Sequence, residues 1–154
     1  MKDKFNREID YLRISLTEAC NLRCIYCMPE GDVCFKNDKG KYLIDIFGDI
    51  GLKKIRFTGG EPLLRKNIVE LVLKAKEKEI GKIALTTNGV LLPKYLDELI
   101  NAGLNEINIS LDSLKEDVFK KITRGGNLIS VVESIKKAVN KGIKVKINAV
   151  IVKG

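Results

Sequence analysis

Three cysteines stand close together near the start of the chain. Cys20, Cys24 and Cys27 follow the spacing Cys-x3-Cys-x2-Cys, with Tyr26 just before the third. Thiolates are soft ligands and select zinc, copper(I) or iron–sulfur clusters. Four protein ligands close a structural zinc site or saturate a cluster. Three thiolates on a four-iron cluster leave one iron open, and an open iron can bind and activate a small molecule. Other readings stay on the table. A zinc site usually pairs two Cys-x2-Cys knuckles, or one knuckle with histidines; this chain has one knuckle and no histidine. Cys34 reads as an incidental thiol in a loop, with a fourth-ligand role in a closed cluster as the alternative. A disulfide needs an oxidising compartment, and the start, Met1-Lys2-Asp3-Lys4-Phe5, lacks the apolar core of a signal peptide. The lack of histidine also excludes any mechanism that needs an imidazole.

The bulk numbers bound the rest. At 154 residues the chain has the length of one domain with a real core. Hydrophobic content of 45% and charge of 31% describe an ordinary soluble protein. No uncharged apolar run approaches a membrane span, so the expected setting is the reducing cytoplasm, which suits thiolate ligands. The net charge is +8. It fits a lysine-rich solvated surface, or attraction to an anionic ligand such as a nucleotide. Composition alone does not separate the two. Basic runs interleaved with aromatics are missing, so nucleic-acid binding is unsupported.

Strands and helices must position the cysteines. Tyr11–Leu16, Lys53–Thr58, Lys82–Thr86, Glu106–Leu111 and Lys144–Val152 are β-rich runs bounded by turn residues. Between them, Lys66–Lys78 stripes Ile68, Leu71, Val72 and Ala75 at helical spacing, with Gly81 as a stop signal. Pro93–Asn101 opens near a proline and ends at Gly103. Ser113-x-x-Glu116 and Ser130-x-x-Glu133 read as capping boxes, and Gly142 stops the last helix. Such alternation argues for an α/β protein with a parallel sheet. The polar motifs then fall on one side. The cysteine loop, Thr58-Gly59-Gly60-Glu61-Pro62, Thr86-Thr87-Asn88-Gly89, Ser110-Leu111-Asp112-Ser113 and Val152-Lys153-Gly154 each follow a strand, where α/β proteins build their sites. Each alone could be a turn or a cap; five on one side are harder to dismiss.

In this order the motifs resemble the radical S-adenosylmethionine (SAM) superfamily. Cys-x3-Cys-x2-Cys and Gly59-Gly60-Glu61-Pro62 carry that likeness. Arg13-Ile14-Ser15-Leu16-Thr17, Cys27-Met28-Pro29 and Lys54-Ile55-Arg56 narrow it to the GTP 3′,8-cyclase family of molybdenum-cofactor biosynthesis, with a peptide-modifying relative as the alternative. The resemblance implies an incomplete (β/α) barrel of about five parallel strands alternating with helices. It implies a [4Fe-4S] cluster held by Cys20, Cys24 and Cys27, with SAM on the fourth iron. Tyr26, Gly59, Gly60, Glu61 and Ser110 match SAM-contacting positions, the glycines because backbone approaches the ligand closely. Arg13, Lys54, Arg56, Thr86 and Lys153 match positions that contact GTP, arginine as a two-pronged donor to phosphate and lysine as a point charge. The alternative for Arg13 and Arg56 is an outward-facing strand position. The implied chemistry takes one electron from a reductant, cleaves SAM to a 5′-deoxyadenosyl radical, abstracts hydrogen from the GTP ribose and closes it onto guanine.

The chain departs from that family in places. Its 1–154 span matches the N-terminal part of the core barrel. The sixth strand and the region carrying a second three-cysteine cluster have no counterpart, so the chain alone is expected not to cyclise GTP. The bare sheet edge would invite association with a second copy or with the missing half. The link from the cysteine loop to the second strand is short, which predicts a stunted first helix over Tyr42–Phe47, since a crossover normally needs about a dozen residues. Asn6 and Ala19 replace a usual glycine and arginine.

Overall fold

The computed structural model describes residues 2–27 and 40–151. Five strands pair in parallel, in chain order. They are β1 (Tyr11–Ser15), β2 (Lys54–Thr58), β3 (Lys82–Thr87), β4 (Glu106–Ser110) and β5 (Lys144–Asn148). The helices are α1 (Gly40–Asp49), α2 (Ile68–Glu77), α3 (Leu92–Asn101), α4 (Glu116–Thr123) and α5 (Leu128–Asn140), with a short 3₁₀ turn at Pro62–Leu64. Met28, Pro29, Cys34 and Lys153 lie outside the described residues.

Sequential order has a physical consequence. Parallel crossovers are right-handed, so successive ones stack the helices on one face of the sheet. That face is apolar. Ile55, Phe57, Ile83, Leu85, Ile107 and Ile109 are almost fully buried there, in one core with Leu71, Val72, Ala75, Leu96, Leu99 and Val131 of the helices. Side chains alternate along a strand, so the intervening residues line the opposite face. One row there runs Arg13, Arg56, Ala84, Glu106, Lys144 across the five strands. Closed barrels fill this space with layers of branched apolar side chains. Here it is lined with charge and amide, so it is built to receive something polar. The architecture is an incomplete barrel, as expected.

Several local expectations need correction. Helix α1 is not stunted; at ten residues it matches α2 and α3 in length. Strand β5 ends at Asn148, where its carbonyl accepts from Leu111 N–H at 2.8 Å. The caps differ too. Asn127, not Ser130, caps α5, its side chain accepting from Ser130 N–H at 3.0 Å. Ser113 precedes α4 and accepts from Lys115 N–H at 3.1 Å, a local turn rather than a cap. After α2 the left-handed position is taken by Glu79 (φ 56°), not Gly81. Asn6, standing where the resembling family has glycine, adopts φ 62°; asparagine is among the few residues that tolerate this region.

Candidate functional site

The cysteine loop is seated on the β2 turn by backbone bonds. Leu16 N–H donates to Thr58 O at 2.8 Å, Gly60 N–H to Thr17 O at 2.7 Å and Glu61 N–H to Ala19 O at 2.7 Å. The loop lies so close that side chains are excluded. A Cβ on Gly59, at φ +143°, would stand 2.4 Å from Thr17 O; one on Gly60 would stand 2.4 Å from Ala19 O and 2.6 Å from Glu18 O. The glycines are therefore required by the close approach of another stretch of backbone.

Glu61 is fully buried, and its carboxylate is committed inside the protein. Oε1 accepts from Leu63 N–H at 3.0 Å, both oxygens take the Thr87 hydroxyl at 2.8 and 2.9 Å, and Oε2 accepts from Asn88 N–H at 2.8 Å. Burial pushes its pKa up, while the Asn88, Leu63 and Thr87 bonds pull the other way. This side chain braces the ends of β2 and β3. Asn88 completes the brace: its amide donates to Asn21 Oδ1 at 2.7 Å and approaches Cys20 Sγ at 3.8 Å.

Cys20, Cys24 and Cys27 are free thiols on this loop, the first two partly buried and the third exposed. Burial is the largest cause raising the Cys20 thiol, and burial with Cys27, Cys20 and Asp112 as neighbours pushes Cys24 up to about 11. The sulfurs therefore sense one another. Among the described residues no three Cys, Asp or Glu side chains close into a group that would grip a single metal ion, as a mononuclear zinc site requires. Three thiols carried on one loop are soft donors of the kind that iron–sulfur groups take. Tyr26 turns its phenol to Asp112, donating to Oδ2 at 2.8 Å. Burial and that carboxylate push its pKa up. The other Asp112 oxygen accepts from Val150 N–H at 2.9 Å.

Below the loop, the polar face gathers around Arg56 and Glu106, both buried. Arg56 donates to Glu106, to Tyr11 Oη at 3.0 Å and to Thr86 Oγ1 at 3.3 Å. Lys54 and Lys146 approach the same carboxylate at 3.4 and 3.5 Å. Arg56 is thus not an outward-facing strand residue. Arg13 shares its row and is exposed. Of the residues singled out from sequence, Lys54, Arg56 and Thr86 meet on this face, and Ser110 stands on the same strand and face as Glu106. Cys20, Cys24, Cys27, Gly59 and Gly60 meet one level up. Lys153 lies outside the described residues. Sequence reasoning gave no role to Tyr11 or Glu106, and it placed Asn88 and Asp112 in site-side motifs without assigning either a partner. The lone carboxylate opening β4 and the Asp in Ser110-Leu111-Asp112 were the available signals.

The model of the Radical SAM superfamily matches residues 14–154. A GTP 3′,8-cyclase of Petrotoga mobilis is 48% identical over 163 aligned positions, covering 100% of this chain and 50% of its own length. One of Clostridium perfringens is 54% identical over 159 positions, covering 98% and 49%. The chain thus spans about half the length of the curated relatives it matches. Among solved structures, Streptococcus suis SuiB bound to S-adenosylmethionine superposes with TM-score 0.76 at 24% identity, over 94% of this chain and 35% of that one. Methylornithine synthase gives 0.74 at 17%, over 90% and 44%. At such identities the superpositions speak for the fold alone. Among the described residues no helix is long and apolar enough to cross a membrane.

Proposed function

The chain belongs to the radical SAM superfamily, and from that premise we propose that it is the N-terminal part of a GTP 3′,8-cyclase core, bearing its [4Fe-4S] and SAM site and part of its nucleotide site. One arrangement carries the reading: three thiols on a loop clamped against Gly59-Gly60, on a sheet whose polar face gathers Lys54, Arg56 and Lys146 around Glu106. The roughly 50% identity to GTP 3′,8-cyclases supports GTP over a peptide as substrate, and the cationic face suits a triphosphate. On this reading a sixth strand and a second-cluster region would lie in the half of the relatives that this chain does not span.

Bound to this chain, the cluster and SAM supply one-electron radical chemistry at the ribose, with the electron drawn from an external reductant in a reducing compartment such as the cytoplasm. The residues do the rest. Cys20, Cys24 and Cys27 would hold the cluster, and SAM would bind beside it. The Gly59-Gly60-Glu61 backbone, Tyr26 and Ser110 contact SAM, while the Glu61 carboxylate positions the turn from behind. Arg13, Lys54, Arg56, Thr86 and Lys153 take the nucleotide. Arg56 is held in place before any ligand arrives, so little of its side-chain freedom remains to be lost on binding. Cofactor enzymes of this kind require the protein to bind, orient and exclude water.

Anaerobic reconstitution tests the reading. The protein is loaded with iron and sulfide, reduced, and titrated with SAM while its electron paramagnetic resonance spectrum is followed. A spectrum that changes on SAM addition is expected. A loaded cluster indifferent to SAM, or a protein that retains only zinc, would sink the proposal.

A further inference from the structure

We infer that Asp112 is a positioning residue whose fixed negative charge lowers the reduction potential of the group held by Cys20, Cys24 and Cys27. The inference rests on the reading proposed above. Asp112 uses both carboxylate oxygens. One takes the Tyr26 phenol at 2.8 Å, and the other takes Val150 N–H at 2.9 Å. Tyr26 lies between Cys24 and Cys27 in sequence, so its bond ties the carboxylate to the ligand loop. Val150 follows β5, so the same carboxylate also pins the loop to the far side of the sheet. Two other acids lie near: Glu18 is exposed on the loop itself, and Glu61 is buried behind the β2 turn with its oxygens taken by Leu63, Thr87 and Asn88.

The physical argument is short. Reduction adds one electron to a group already surrounded by thiolates. A carboxylate held nearby opposes that added charge and moves the equilibrium toward the oxidised form. Net charge and outer hydrogen bonds are among the levers that set the potential of iron–sulfur groups. A lower potential makes the reduced form a stronger one-electron donor, which breaking a sulfonium carbon–sulfur bond demands. The electron itself comes from an external reductant, dithionite in the test.

The test is a redox titration of the anaerobically reconstituted chain, read by electron paramagnetic resonance. Asp112→Asn keeps a carboxamide oxygen in place and removes the charge. It should shift the reduction equilibrium about tenfold toward the reduced form, which is 59 mV for a one-electron couple. Asp112→Glu keeps the charge, and Tyr26→Phe keeps it while removing the phenol bond; both should stay within roughly twofold of the parent. A D112N midpoint equal to the parent's overturns the inference, and so does a Y26F shift as large as that of D112N. If neither D112N nor Asp112→Ser takes up iron while D112E does, the carboxylate is a loop anchor and the inference is again wrong. A parent chain that loads no cluster defeats the underlying reading instead, a separate result seen directly in its iron and sulfide content.

Discussion

Glu106 sets a negative charge among cations, and its environment decides what that charge is worth. Burial raises its pKa, but the Arg56 bond and the charges of Lys54 and Lys146 outweigh it, leaving the carboxyl below its ordinary value of 4.5. A carboxylate with a depressed folded pKa stabilises the fold above its unfolded value and loses that contribution as pH falls through the folded one. Glu106→Gln keeps the shape and removes the charge. It also leaves buried Arg56 with only neutral acceptors. Charge-assisted bonds of this kind contribute about 2 kcal/mol, so E106Q should be less stable than the parent by about that amount at neutral pH. The difference should start to shrink as pH falls below 4.5, the unfolded value, and vanish once pH passes the lower folded value and the parent's own carboxyl is neutral. Urea unfolding of both proteins at pH 7 and pH 3 checks this. A constant gap at both values would mean that the charge contributes nothing.

The seating of the cysteine loop on the β2 turn shows what can be read from an element before its structure is known. The strands were legible because alternation leaves Ile55, Phe57, Ile83 and Leu85 as regular apolar signals, and a buried helix-side face leaves no freedom in which residues those are. The turn was legible as a motif, yet its reason was not. Gly59 and Gly60 look alike whether they face a ligand or a neighbouring backbone, because a sequence does not state what lies opposite. The partners of Glu106 and Asp112 were missed for a related cause: Arg56 and Tyr26 are distant in sequence and are chosen by register. The helix starts were misplaced because Asn127 and Ser130 are both good capping residues, and packing selects between them. The tight seat of Gly60 makes a sharp prediction. Gly60→Ala would press a methyl against Ala19 O and Glu18 O, both rigid backbone. Overpacking of this kind costs about 1–3 kcal/mol, and the strain falls on the loop that carries the thiols. G60A should therefore lower the melting temperature and take up far less iron on reconstitution. Gly81→Ala, whose added carbon would meet nothing nearer than Lys53 O at 4.0 Å, should match the parent in both.

At the scale of the molecule, five strands make an open face where a closed barrel would make a chamber. Arg13, Lys144, Lys146 and Asn148 are exposed along that face, and β5 is paired only with β4 among the described residues. Openness weakens the site in two ways. Charges facing water attract an anion with a fraction of the strength they would have in a dry cavity, since the interaction scales inversely with the effective dielectric constant. A nucleotide lying on an open face also keeps much of its motion, and reactions that depend on near-contact alignment lose orders of magnitude when alignment is lost. The two functions should therefore separate. If the proposed roles of the thiols, the β2 turn and Ser110 hold, the chain with cluster, SAM and dithionite should cleave SAM to 5′-deoxyadenosine. It should yield no 3′,8-cyclised nucleotide from GTP. Mass spectrometry of one reaction mixture reads both products. Cyclised nucleotide formed by this chain alone would show that the face closes by itself, through a second copy or by a route other than a sixth strand. The absence of both products would place the defect in the loop and not in the open side of the sheet.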